Sequence, residues 1–353
     1  MGLFQNLPHD IALQCLIRVP YKQFHSFKSV CKAWKNDIEL SELLRLRKST
    51  GKAQLLVVLN LARVNPNRNI KCSDTLVYRP VVLEPETGCW SEMPELPEYP
   101  YELPMFCEMV ALGSVLVVMG GYAPRFTDCL DSVFIFDFIS STWRRGKPIP
   151  GGPRAFFGCA SDGDRTVIIA GGHDLQMNAL KSTWAYDVAK DEWNPLPDMA
   201  KERDECSCLY QNDKFHVIGG YPTNMQGYDY EDVEIYDTSA REWSQSDDMP
   251  FYTTISMNNI CMGSRDDKIY KCHGNGVVVL EGDTWKFVAE LPVDVAYSPY
   301  LTLYPGHVLV IGASKSGEPN HAYKMDMNEC VWTKVEVPIA YSGHVQSVCS
   351  LII

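Results

Sequence analysis

Thirteen cysteines, eight histidines and four Gly-Gly pairs are the residues of this 353-residue sequence that would ordinarily do chemistry. A catalytic or metal-bound thiol needs a partner at a defined spacing, and no CxxC pair occurs. The nearest two, Cys206 and Cys208, point to the same side of a strand, a poor disulfide geometry. An odd cysteine count in a chain this long fits reduced, mostly buried thiols better than a disulfide framework or a metal site. The histidines never fall in HExxH or beside paired carboxylates at metal spacing. The Gly-Gly pairs lack the Lys-Ser/Thr and the following helix of a phosphate-binding loop. Neither a catalytic residue, a metal nor a cofactor is expected.

What remains is the chemistry of recognition, in which Arg and Tyr are the most frequent anchors. Tyr122, Arg125, Phe126, Arg154, His173, Arg203, Tyr221 and Tyr228 lie in or beside the long segments between β-rich runs. These residues are the candidates for binding a target protein. Two roles stay open for Arg154 and Arg203, each just ahead of a β-run: anchors near a central channel, or ion-pair partners that help closure.

The elements that position them repeat at a step of about fifty residues. VLVVMGGYAP…VFIFDFISSTW, TVIIAGGHDL…TWAYDVAKDEW and FHVIGGYPTN…VEIYDTSAREW each carry Gly-Gly, then an Asp and a Trp. The tryptophans at 90, 143, 193, 243, 285 and 332 mark six copies at steps of 53, 50, 50, 42 and 47. A β-rich repeat of this period is the signature of a kelch-type β-propeller, here of six four-stranded blades. The glycines suit a sharp turn under a close neighbour, and the tryptophans suit the wedge between blades. By strand parity, the loops Leu61–Thr75, Tyr122–Ser132, His173–Ser182 and Tyr221–Asp232 emerge on one face, where binding is normally placed. The first copy lacks an inner strand, and residues 344–353 form an unclaimed β-rich tail. The tail is expected to fill the gap and close the ring.

Residues 1–49 differ in character. Residues 1–52 hold nine Lys/Arg against four Asp/Glu, while the rest holds 23 against 40. Pro8 is placed for a first helical turn, with Ile11, Cys15, Leu16 and Val19 on one face before Pro20 ends the helix. Phe24, Phe27, Val30, Cys31 and Trp34 make a second helical stripe, and Ser41 could cap a third helix. So small a helical unit would be marginal alone. Only residues 49–52 separate it from the first strand, too few for free tumbling.

Leu7-Pro8, Ile11, Leu16, Arg18, Val19-Pro20, Val30-Cys31-Lys32 and Trp34 resemble the F-box motif over residues 3–47. Cys15 and Phe24 depart from its usual aliphatic residues. With the repeats, the chain resembles a plant F-box/kelch-repeat protein, the propeller spanning 50–353. The stretches at 156–173, 201–206 and 215–221 are similar to the KISS ME DEADLY subgroup. The resemblance implies a Skp1-like adaptor bound through Leu7, Pro8, Ile11, Leu16, Val19, Pro20, Val30, Cys31 and Trp34, and cullin-1 through that adaptor. It further implies a non-catalytic role in ubiquitin transfer, with phenylalanine ammonia-lyase and type-B response regulators of cytokinin signalling as candidate targets. A kelch scaffold that binds without ubiquitination is the alternative, and a redox or small-molecule-binding propeller is a weaker third.

The pI near 5.2 and net charge of −12 argue against nucleic acid as a partner. No apolar run reaches membrane-spanning length, Asp10 and Arg18 interrupt any signal-peptide core, and Asn6 occupies the position where myristoylation wants Ser or Thr. Cytoplasm and nucleus are the expected compartments.

Overall fold

The computed structural model describes residues 8–30, 32, 35, 41–64, 76–100, 102–123, 128–246, 262–265, 268–282, 284–304, 306–315 and 318–353. Helices α1 (His9–Leu16), α2 (Phe24–Lys28) and α3 (Ser41–Ser49) precede six four-stranded antiparallel sheets. Blade one takes β1 (Leu55–Val64), β2 (Leu76–Glu84) and β3 (Cys89–Glu92). Blade two is β4 (Glu108–Leu112), β5 (Val115–Met119), β6 (Val133–Asp137) and β7 (Thr142–Arg145). Blade three is β8 (Gly158–Ser161), β9 (Thr166–Ala170), β10 (Thr183–Asp187) and β11 (Glu192–Leu196). Blade four is β12 (Ser207–Gln211), β13 (Lys214–Ile218), β14 (Val233–Asp237) and β15 (Glu242–Ser246). Blade five runs from β16 (Met262–Arg265) through β17 (Lys268–His273) and β18 (Gly276–Glu281) to β19 (Thr284–Glu290). Blade six is β20 (Tyr297–Tyr304), β21 (His307–Ala313), β22 (His321–Asp326) and β23 (Val331–Val335). The chain ends in β24 (Val345–Ile352), which pairs antiparallel with β1 from Leu55↔Ile352 to Leu61↔Val345. The tail thus supplies the missing inner strand of blade one.

The sequence pattern explains the layering. Second and third strands lie between two neighbouring blades, so they read as near-continuous apolar runs, such as Val115–Met119 and Val133–Asp137. Outer strands face water and bury little more than their Trp. The Trp indole N–H of blades two, three and four crosses to the preceding blade: Trp143 to Pro94 O at 2.8 Å, Trp193 to Lys147 O at 2.9 Å, Trp243 to Pro197 O at 2.7 Å. Trp90 closes the ring by donating to Glu336 O at 2.9 Å. The aromatic before each Asp packs on its Trp, with Tyr186 and Trp193 centroids 4.6 Å apart. The Asp itself turns the hairpin: Asp237 Oδ1 accepts from the N–H groups of Ser239 and Ala240 at 2.9 and 2.8 Å. Gly172 has φ +78°, and a Cβ there would stand 2.7 Å from Phe157 Cβ and nearer still to the Ala155 carbonyl.

In blade five Gly274 and Asn275 form a two-residue turn between β17 and β18, so the connection there is short. One local expectation changes. In α1 the buried side is Ala12, Leu16 and Ile17, whereas Ile11 and Cys15 point to solvent and Val19 is half-buried. The reason is what α1 packs on. Leu16, Ile17, Tyr21, Phe24 and Leu43 share one apolar cluster with Leu56, Val58, Phe138, Ile139, Leu351 and Ile353 of the propeller.

Arg47 of α3 locks this junction. Its buried guanidinium donates to Ile17 O at 2.6 Å, Val19 O at 2.7 Å and Gln54 Oε1 at 3.3 Å, and stacks over the Phe24 ring. Burial lowers its pKa to about 10. Lys22 pairs with Glu84 at 2.5 Å. Glu84, Phe138, Ile139 and Ile353 all lie at the short-turn ends of their strands, so the helices sit on the face opposite the long loops.

Candidate protein-binding site

On the loop face, the turn after each Gly-Gly pair folds back on the segment leading into its own blade. Met105 pairs with Tyr122, Ala155 with His173, and Asp204 with Tyr221, each as a single β-bridge. Tyr122, His173 and Tyr221 are therefore equivalent positions in blades two, three and four, which the structure brings side by side. The residue after each bridge, Phe106, Phe156 or Glu205, is left-handed with φ of 53°, 52° and 54°. Such backbone is uncommon for residues other than glycine, and here it recurs three times around one channel mouth.

A hydrogen-bonded relay joins the three blades. The Tyr122 hydroxyl lies 2.6 Å from His173 Nε2, and His173 Nδ1 lies 2.8 and 2.9 Å from the two Asp204 oxygens. A carboxylate only accepts, so Nδ1 carries the proton; in the neutral imidazole Nε2 then accepts from Tyr122. His173 is buried, and its ring packs against Phe156, whose ring is 4.9 Å from that of Phe106. The Tyr221 hydroxyl donates to Glu205 Oε1 at 2.7 Å, and burial followed by Glu205 raises its pKa.

Arg154 and Arg203 are not surface anchors. They are 2 % and 0 % exposed. Arg154 donates to Gly171 O, Ser182 O and Ser182 Oγ. Arg203 meets Glu234 Oε1 at 3.0 Å, Asp232 Oδ1 at 2.9 Å and Gly219 O at 2.7 Å. Both guanidiniums stitch a lead-in segment to its own blade, while the backbone of each residue bonds the blade before: Gly121 N–H to Arg154 O and Gly172 N–H to Arg203 O. Every guanidinium nitrogen of Arg203 is engaged inside the ring, and Arg154 uses both terminal nitrogens there. Tyr228 is 72 % exposed, and Leu175, Met177 and Met225 also stand in solvent on the same loops. Tyr122 lies 3.6 Å from Met177 Sδ, and Ala179 N–H donates to Thr223 Oγ1, joining the loops of blades three and four. Arg125 and Phe126 lie outside the described residues.

Asp204, Glu205, Phe106 and Phe156 were not among the residues singled out from sequence. The signal was the alignment of Pro104-Met105-Phe106, Arg154-Ala155-Phe156 and Arg203-Asp204-Glu205 ahead of successive inner strands. Met177 carried no such signal.

On the opposite side, Pro8, Ile11, Pro20 and Val30 are exposed. Val19 is half-buried, and Leu16 is buried against the propeller, so Leu16 shapes this surface without lying on it. Leu7, Cys31 and Trp34 lie outside the described residues.

Comparison with known proteins agrees with both parts. Residues 4–36 match the F-box domain, and residues 66–274 match the KLHDC2/KLHL20/DRC7 kelch-repeats domain. The F-box/kelch-repeat proteins At1g15670 and At1g80440 of Arabidopsis thaliana are 44 % and 42 % identical, each alignment covering 99 % of both chains. The Arabidopsis F-box/kelch-repeat protein SKIP20 is 34 % identical over 69 % of this chain and 66 % of its own. A helical F-box seated on a six-bladed propeller, with relatives matching it from end to end, establishes that the chain belongs to the F-box/kelch-repeat proteins.

Proposed function

We propose that this chain is the substrate receptor of a Skp1–cullin–F-box ubiquitin ligase. Its F-box engages a Skp1-like adaptor, and through it cullin-1, while the loop face of the propeller holds the target. The observation that carries this reading is the two-sidedness of the F-box: Leu16, Ile17 and Phe24 are spent on the propeller, while Ile11 and Val30 remain 46 % and 56 % exposed. Apolar side chains left in solvent on a small helical unit fit a surface that a partner covers. The chemistry then belongs to the recruited conjugating enzyme, and the receptor contributes proximity.

The test is a pull-down of the full chain with purified Skp1-like adaptor and cullin-1. Leu7→Ala/Pro8→Ala and Ile11→Asp should each abolish capture with the propeller still folded. Undiminished capture by both would reject the reading. Likeness to the KISS ME DEADLY subgroup in residues 156–173, 201–206 and 215–221 supports phenylalanine ammonia-lyase and type-B response regulators as targets. A role in phenylpropanoid metabolism and in limiting cytokinin signalling follows from that assignment, as do the cytoplasm and nucleus as its places of action. Proximity labelling under proteasome inhibition, with and without the F-box, tests the targets directly.

A further inference from the structure

The loop face has a composition that narrows what it can hold. Leu175, Met177, Met225 and Tyr228 are exposed on the joined loops of blades three and four, and Met177 meets Tyr122, whose ring lies 6.4 Å from that of Phe156. Their surroundings are acidic, and among the described residues the local cations are paired. Lys201 pairs with Asp232, Arg203 with Asp232 and Glu234, and Lys181 with Asp198. Glu202, Glu205, Asp229 and Glu231 have no ion pair among the described residues. Asp229 Oδ1 is enclosed and has no hydrogen-bond partner. Burial, and then the charge of Glu205, raises the Asp229 pKa, as two carboxylates without a cation between them should.

We infer that this face accepts an extended, basic segment of the target, with an Arg or Lys side chain entering beside Glu205 and Asp229 and neighbouring apolar side chains covering Met177, Met225 and Tyr228. The inference rests on the receptor reading and supplies its substrate class. Charge complementarity selects the sign of the occupant, and the exposed thioethers and phenol supply the apolar contact. The wall is set by backbone geometry, because the left-handed turn at Glu205 places its carboxylate against Tyr221 at the position taken by Phe106 and Phe156 in the two preceding blades.

The experiment is selection of a random peptide-display library on the full chain, with adaptor capture measured separately. Titration of the enriched peptides by fluorescence anisotropy follows. Enriched peptides should carry Arg or Lys next to a bulky apolar residue, and their affinity should fall as salt rises. E205Q/D229N should weaken them by about tenfold or more, and Met225→Ser/Tyr228→Ser by a similar factor, with adaptor capture unchanged in both. Enrichment of acidic or uncharged sequences, no enrichment, or equal binding by E205Q/D229N would overturn the inference. Its failure is distinct from failure of the receptor reading: adaptor capture without basic peptides rejects only the inference, and basic peptides without adaptor capture reject only the receptor.

Discussion

Arg203 shows how far a residue's type can mislead about its use. As a side chain it belongs to the interface-anchoring set, and its position beside the channel points the same way. The structure commits it inward, to Glu234 at 0 % exposure and to Asp232. A buried carboxylate that loses its cation is left with an unpaid desolvation term, so Arg203→Met should destabilise the protein by about 3–5 kcal/mol. Arg203→Lys should recover only part of the loss, because one ammonium cannot reproduce a fork that meets two carboxylates and a carbonyl. Urea unfolding of both variants checks this; a loss within about 0.5 kcal/mol for Arg203→Met would show the pair to be dispensable. Peptide binding by whichever fraction stays folded should be unchanged.

Inner strands present a different case, since they face one another across the channel. Glu108 opens β4 and meets Cys159 of β8, whose thiol donates to Glu108 Oε2 at 3.8 Å. Burial pushes the Glu108 carboxyl up to about 7. A folded pKa above the unfolded value means that the native state holds this proton more tightly. The stabilisation is therefore complete below about pH 4.5 and is lost as pH rises to about 7. Because Glu108 is only half-buried, the change is on the order of 1–2 kcal/mol. His216, held down to about 4 by burial, acts in the opposite sense and loses stability as pH falls below about 6.5. The gap between E108Q and the parent isolates Glu108: it should widen in favour of E108Q between pH 5 and pH 8. A constant gap in unfolding free energy would show an ordinary carboxyl. The repeat itself was legible at this scale, because Gly-Gly, Asp and Trp recur at the same turns and wedges of blades two, three and four, and the missing first strand implied the closing tail. The glycines of blade five were not legible as a hairpin, since spacing alone does not distinguish a strand end from a two-residue turn. The outward face of α1 was hidden for a related reason: the helix is sided by the propeller beneath it, a contact no local period records.

At the scale of the molecule, the F-box and the propeller share one apolar cluster, with Arg47 as its polar lock. The Ile17 and Val19 carbonyls at the helix end have their donors in that guanidinium, and the Gln54 side chain ties Tyr21 N–H to the first strand at 2.8 Å. The helices therefore form a fixed mount on the short-turn face, with the loop face pointing away from the adaptor side. Proximity catalysis depends on such a fixed geometry, because a freely jointed arm would dilute the target over a larger volume. Arg47→Ala removes the guanidinium from both carbonyls and should loosen the mount by about 2–4 kcal/mol while leaving the blades' own unfolding transition in place. Small-angle scattering of the parent should give one narrow distance distribution, and Arg47→Ala a broader one with a longer maximum dimension. Ubiquitin transfer to a loop-face target should slow in Arg47→Ala even where adaptor capture and peptide affinity are retained. Lys22→Ala, which removes only an exposed partner of Glu84, should shift none of these by more than a small fraction. A parent protein that already scatters as a broad ensemble would place the geometry of transfer in the adaptor and cullin, and take it away from this junction.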